Sequence, residues 1–142
     1  MPTDVIYRTT ATSTGGREGH TRTADGVIDV QLSTPKEMGG SGGPGTNPEA
    51  LFAAGYSACF LGAMKAIAAK GDHPKVPQDA SVKGDVGIGP RSEGGFGIDV
   101  ALEISLPGVD KDAAEKLVAA AHQICPYSNA TRGNVNVKLT VV

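Results

Sequence analysis

The chain has 142 residues, with 13 Lys and Arg set against 15 Asp and Glu for a net charge of −2. That length suits a single domain, residues 1–142, which buries roughly two-thirds of its unfolded surface without covalent help. The charge balance excludes a nucleic-acid binder or an acidic-membrane binder that works through excess positive charge, so neither partner is expected.

The N-terminus, Met1 to Arg8, lacks a basic segment followed by an apolar one, so no secretory leader is expected and the location is read as cytoplasmic. Residues 4–14 are rich in β-branched side chains, Gly15-Gly16-Arg17-Glu18-Gly19 supplies a turn, and His20 to Thr23 resumes an extended pattern. This predicts a hairpin with Arg17 near its tip. A further strand is predicted over 27–32. Residues 39–46, Gly-Gly-Ser-Gly-Gly-Pro-Gly-Thr, are expected to form a flexible connection. No Lys follows these glycines, so they do not make a phosphate-binding loop.

Asn47, Pro48 and Glu49 then form a helix-start signal: an N-cap, a proline at the first helical position, and an acid where the helix dipole favours one. The predicted helix runs to about Lys70, with Gly71 ending it. It has hardly any polar face and is expected to be buried on most sides. One protomer's sheet covers only part of such a helix, so a partner subunit is expected. Lys65 and the many small residues argue against a membrane span. Strands are predicted near 80–88 and over 96–106. The second alternates Ile98, Val100, Leu102, Ile104 and Leu106 against polar or small residues, the pattern of a sheet with one buried face. Asp110 caps a helix over 111–124, Pro126 disfavours helical geometry at Cys125, and 134–142 reads as a last strand.

Cys59, in the long helix, and Cys125, at the helix end, are the only cysteines, 66 residues apart. Several readings are open. Two unrelated small core residues would look the same. A zinc site needs two further ligands, and His20, His73 and His122 show no paired spacing, so no metal is expected. The Cys-x-x-Cys spacing of thioredoxin-like sites is absent. A redox pair joined through tertiary structure remains, and cysteine pairs in a reducing cytosol are more often catalytic, sensing or metal-binding than structural. Its chemistry needs a thiolate, and apolar surroundings disfavour one unless a cation is near. Cys59 lies too far into its own helix to use that helix's N-terminus. Arg17, on its glycine-flanked turn, is the candidate cation, and a solvated turn residue is its plainer reading. Glu49 is able to orient such an Arg, although a first-turn carboxylate needs no such role. Glu49 and Cys59 are ten residues apart on one helix, roughly 15 Å. Two such helices antiparallel about a dimer axis bring the Glu49 end of one near Cys59 of the other.

The segments Asn47-Pro48-Glu49-Ala50-Leu51-Phe52-Ala53-Ala54-Gly55-Tyr56-Ser57-Ala58-Cys59-Phe60 and Ile124-Cys125-Pro126-Tyr127-Ser128-Asn129-Ala130-Thr131-Arg132-Gly133-Asn134 strongly resemble the OsmC/Ohr superfamily, and more narrowly its organic hydroperoxide resistance branch. The resemblance covers nearly the whole chain. It implies an α/β (α+β) fold of the OsmC type, with antiparallel sheets wrapped around central helices in an intertwined homodimer. It also implies a thiol peroxidase that reduces alkyl and fatty-acid hydroperoxides to alcohols. Cys59 matches the peroxidatic thiol, Cys125 the resolving thiol, and Arg17 and Glu49 the active-site Arg and Glu. No bound cofactor is implied. The reductant would be an external dithiol, a dihydrolipoyl group on a lipoylated protein or dihydrolipoamide. A redox-sensing or thiol-carrier protein, and the osmotically inducible branch of the superfamily, are the alternatives.

Overall fold

The computed structural model describes residues 1–142, which form two compact units, Met1–Pro48 and Glu49–Val142. In the first unit, strands β1 (Ala11–Thr14), β2 (His20–Thr23) and β3 (Asp29–Gln31) make an antiparallel sheet in that order. A 3-10 turn at Gly16–Glu18 joins β1 to β2, and Gly15 and Gly16 enter it at φ 72 and 60, a left-handed geometry that glycine adopts without strain. Arg17 is therefore carried on the predicted hairpin tip.

β1 is shorter than the 4–14 pattern suggested. β2 gives out at Thr23, where a turn begins with Gly26 N–H donating to the Thr23 carbonyl, so nothing in this sheet pairs with the residues before Thr10. Ile6 and Tyr7 are left exposed. The glycine-rich segment also departs from expectation, because it is tied down rather than loose. Gly42 N–H donates to the Thr34 carbonyl, Gly45 N–H to Ser33 Oγ at 2.9 Å, and Thr46 N–H to the Gln31 carbonyl. Its glycines bring two backbone stretches close together, a use that composition alone does not separate from flexibility.

The second unit is built on helix α1 (Pro48–Ala68) and a sheet of β4 (Ser81–Pro90), β5 (Phe96–Ser105) and β6 (Val137–Val141) in the order β4-β5-β6. β4 and β5 pair antiparallel from Ser81 with Ser105 to Pro90 with Phe96. β6 lies parallel to β5, so the sheet is mixed. Parallel pairing requires a long crossover, and helices α2 (Lys111–Ile124) and α3 (Pro126–Thr131) supply it. Asp110 caps α2 as predicted, its carboxylate accepting the Ala113 N–H at 3.3 Å.

Alternation along β5 puts Val100, Leu102, Ile104 and Leu106 in the core and leaves Asp99 and Glu103 outside. Tyr56, Phe60 and Met64 of α1 and Leu117, Val118 and Ala121 of α2 fill the same core. α1 is long and apolar enough to cross a membrane by length and composition, yet these three large side chains are wholly buried inside the unit, as in a core helix. Ala50, Ala54, Ala58, Gly62 and Ala66 along its other side stay exposed, the side that one protomer's sheet is expected to leave uncovered.

The helix approaches the sheet closely at Gly84, where an added Cβ would sit 2.9 Å from the Ala53 carbonyl oxygen. Backbone does not yield as a flexible side chain does. Gly84→Ala is expected to cost about 1–3 kcal/mol, read as a lowered thermal midpoint by circular dichroism; an unchanged midpoint would contradict this packing.

Candidate active site

Cys59 and Cys125 meet. Their sulfurs are 3.6 Å apart and both thiols are free. Cys59 follows Tyr56 by three residues on α1, which places it on the inward-facing side of the helix. Cys125 belongs to neither helix beside it. Its φ of −62 and ψ of 123 are extended, its N–H donates to the Ala121 carbonyl at the end of α2, and its carbonyl accepts the Asn129 N–H of α3. Pro126 is responsible for both halves of this arrangement: it disfavours helix at Cys125 and is pre-set for the first position of the next helix. The sequence reading took only the stop signal from Pro126 and missed α3, although proline at a first helical turn was the cue that located α1.

The two thiols differ in access. Cys125 is completely buried, whereas Cys59 is partly exposed, so a reagent from solvent reaches Cys59 first. Burial raises the Cys59 thiol above its ordinary value, and the neighbouring Cys125 thiol raises it further. One opposing influence is present, the Tyr127 backbone amide, which favours the thiolate. The local balance therefore favours the neutral thiol, and a thiolate here calls for a cation. Arg17 lies in the Gly16–Glu18 turn of the first unit, and Glu49 in the first turn of α1 in the second. No three His, Cys, Asp or Glu side chains gather as a metal site.

Behind the sulfurs runs a polar chain that the sequence reading did not find. Ser128 Oγ is 2.8 Å from His122 Nδ1 and 2.9 Å from Tyr56 Oη, and Tyr56 Oη is 3.2 Å from Thr131 Oγ1. Thr131 Oγ1 in turn donates to the carbonyls of Tyr127 and Ser128 at 3.1 and 3.2 Å. Each hydroxyl has one proton to give, and satisfying every bond assigns their order. Thr131 gives its proton to the backbone, Tyr56 donates to Thr131, Ser128 donates to Tyr56, and His122 donates from Nδ1–H to Ser128. No buried side-chain polar atom lacks a partner. The only sequence cue was that Ser128 and Thr131 fall one helical turn apart just after a proline.

Aromatic packing fixes the same segment. Tyr127 contacts Tyr56 and Phe52 at centroid distances of 5.6 and 6.0 Å, and its ring covers Gly55, where a Cβ would meet the Tyr127 hydroxyl at 2.8 Å. Tyr56 and Phe60 are wholly buried and serve the core. Phe52 and Tyr127 are less buried and pack edge-on against each other, with Tyr127 next to Cys59.

Comparison with known proteins gives consistent matches. The family described as OsmC-like protein matches residues 39–140. An organic hydroperoxide resistance protein of Xanthomonas axonopodis pv. citri is 58% identical over 140 residues, covering 99% of this chain and 97% of that protein. The crystal structure of an organic hydroperoxide resistance protein from Legionella pneumophila superposes with a TM-score of 0.90 at 46% identity, covering 97% of this chain and 98% of the other. A counterpart from Vibrio cholerae, described as putative in that role and crystallised with captopril in one of its active sites, gives 0.91 at 45% identity over 99% and 95% of the two chains.

Burial and the nearby Arg132 charge lower His122 below the usual imidazole value of 6.5. The unfolded chain then binds the proton more readily than the folded one, so the stabilisation is complete above about 6.5 and is lost as pH falls. The urea midpoint is expected to drop as pH falls below about 6.5, and to drop less in His122→Gln; equal slopes would overturn this assignment.

Proposed function

The chain belongs to the OsmC-like family, in its organic hydroperoxide resistance branch, and we propose that it is a cysteine-based peroxidase reducing organic hydroperoxides to alcohols. The observation that carries the chemistry is the 3.6 Å contact between a reachable thiol and a buried one. A disulfide needs about 2.05 Å between sulfurs, so a side-chain adjustment of about 1.5 Å closes the bond without unfolding either helix.

In this reading the Cys59 thiolate attacks the distal oxygen of the hydroperoxide. The O–O bond breaks, the alkoxide leaves and takes a proton to become the alcohol, and Cys59 becomes a sulfenic acid. The Cys125 sulfur then attacks Cys59, water leaves, and the disulfide forms. An external dithiol reopens it by exchange and is itself oxidised to a disulfide. A dihydrolipoyl group, free or on a lipoylated protein, is the reductant we favour. Arg17 is assigned to stabilise the thiolate, because the Tyr127 amide does not outweigh burial and the second thiol, and Glu49 to orient Arg17. Phe52 and Tyr127 favour alkyl over small polar peroxides.

We assign the working form as a homodimer in the cytoplasm. The exposed row of Ala50, Ala54, Ala58, Gly62 and Ala66 on α1 supports the dimer, because small residues let a second helix approach closely. Mixed dimers of Cys59→Ser and Glu49→Ala chains test whether Glu49 serves the partner's thiol, since recovery of about one working site per dimer requires action across subunits.

Wild-type protein is expected to consume cumene or fatty-acid hydroperoxide in stopped-flow with a lipoyl reductant, and absence of turnover would overturn the peroxidase reading in favour of a sensor or thiol carrier. Cys59→Ser should abolish the reaction. Cys125→Ser should perform one oxidation per site and then stall, with Cys59 passing to sulfinic acid by mass spectrometry after a peroxide pulse; normal cycling of that variant would remove Cys125 from the resolving role.

A further inference from the structure

We propose that Ser128 is a positioning residue for the thiol pair: held between Tyr56 and His122, it fixes the first turn of α3 so that the Tyr127 amide faces the Cys59 sulfur and Cys125 stays against it. The inference deepens the peroxidase reading by adding a residue outside the four already assigned, and it rests on that reading for its importance to turnover.

Three observations converge. Ser128 is wholly buried, and its single hydroxyl takes one bond from α2, through His122, and one from α1, through Tyr56. It thus ties α3 to both neighbouring helices at once. Ser128 also stands one residue from Tyr127, whose amide favours the Cys59 thiolate, and three from Cys125, whose sulfur is 3.6 Å from Cys59. A shift of its backbone is passed along the chain to both. Finally, α3 has six residues and no side-chain cap at its start, so its own hydrogen bonds give it little independent stability. The tie to Tyr56 and His122 is what holds this short helix in place, together with the Tyr127 ring on Gly55.

The consequence concerns the thiol rather than the fold alone. Losing the tie lets the Tyr127 amide wander from Cys59, and the sole local group that favours the thiolate is weakened. The effect needs no change in the cysteines or in any charged residue.

The test follows the rate of Cys59 alkylation by iodoacetamide across pH in the fully reduced protein, with the modified peptide identified by mass spectrometry. In Ser128→Ala the midpoint is expected to rise by about one pH unit, and alkylation at pH 7 to slow about tenfold. Ser128→Thr retains the hydroxyl and should restore most of the wild-type midpoint. Tyr56→Phe removes one partner while keeping the ring, and should move the midpoint in the same direction; it carries the test if Ser128→Ala does not fold. A lowered melting temperature with an unmoved midpoint in both Ser128→Ala and Tyr56→Phe would make the chain of hydroxyls merely structural and overturn the proposal. Peroxide has no part in this measurement. A wild type inactive toward hydroperoxides would therefore remove the peroxidase reading, while the shifted midpoint would still establish Ser128 as the positioning residue of the thiol pair.

Discussion

Everything in the candidate site depends on the chain break at Cys125. Pro126 has no amide hydrogen and crowds the residue before it, so α2 stops and the backbone turns into α3 with a single extended residue between them. That residue is the cysteine. Its amide still completes α2 and its carbonyl begins α3, so the turn costs no backbone hydrogen bonds despite being buried. The same turn aims the Cys125 sulfur at α1 and brings the Tyr127 amide up to Cys59. Other sequences could end a helix here; a proline directly after the cysteine also starts the next one.

The break matters because Cys59 sits in surroundings that work against its ionisation. Desolvation is the largest influence on it and a second thiol adds to the opposition. Against these the second unit offers one amide, placed by a six-residue helix that is itself placed by side-chain hydrogen bonds. The energetic logic links layers of structure that look separate: core packing of Tyr56, the polar chain through Ser128, and the acidity of a thiol. A fully satisfied buried network is stiff, which suits it to holding a geometry that a free helix end would not keep.

Much of this was legible in the sequence, for identifiable reasons. The β5 alternation, the Asp110 cap and the Asn-Pro-Glu helix start are local signals with local causes, and the elements follow them. Where the pattern misled, the deciding partner was distant in sequence. The run over 4–14 has β-branched character throughout, but its first residues meet no neighbouring strand in the sheet. The glycines of 39–46 are anchored by bonds to residues 31–34, which composition does not record. The parallel placement of β6 is set by the helical crossover before it, a cue present in the chain but silent in the alternation of β6 itself. For the site, the cysteines were recognisable as a pair only through resemblance, and their contact is a tertiary fact. Cys125, at its helix end, is already in contact with Cys59 and fully buried.

That contact also orders the proposed chemistry. The two sulfurs are 3.6 Å apart, so an oxidised Cys59 sulfur stands within reach of Cys125 without any rearrangement of the helices. Access then decides which sulfur meets a peroxide, because Cys59 is open to solvent and Cys125 is not. In the proposed reaction, oxidation turns the Cys59 sulfur from a nucleophile into the electrophilic sulfur of a sulfenic acid. In that proposal the buried thiol has a target only once its partner has been oxidised. Burial meanwhile keeps it from reacting with peroxide on its own account. Proximity and unequal exposure together give the two identical residues a sequence of action, with no movement larger than closing the gap between them.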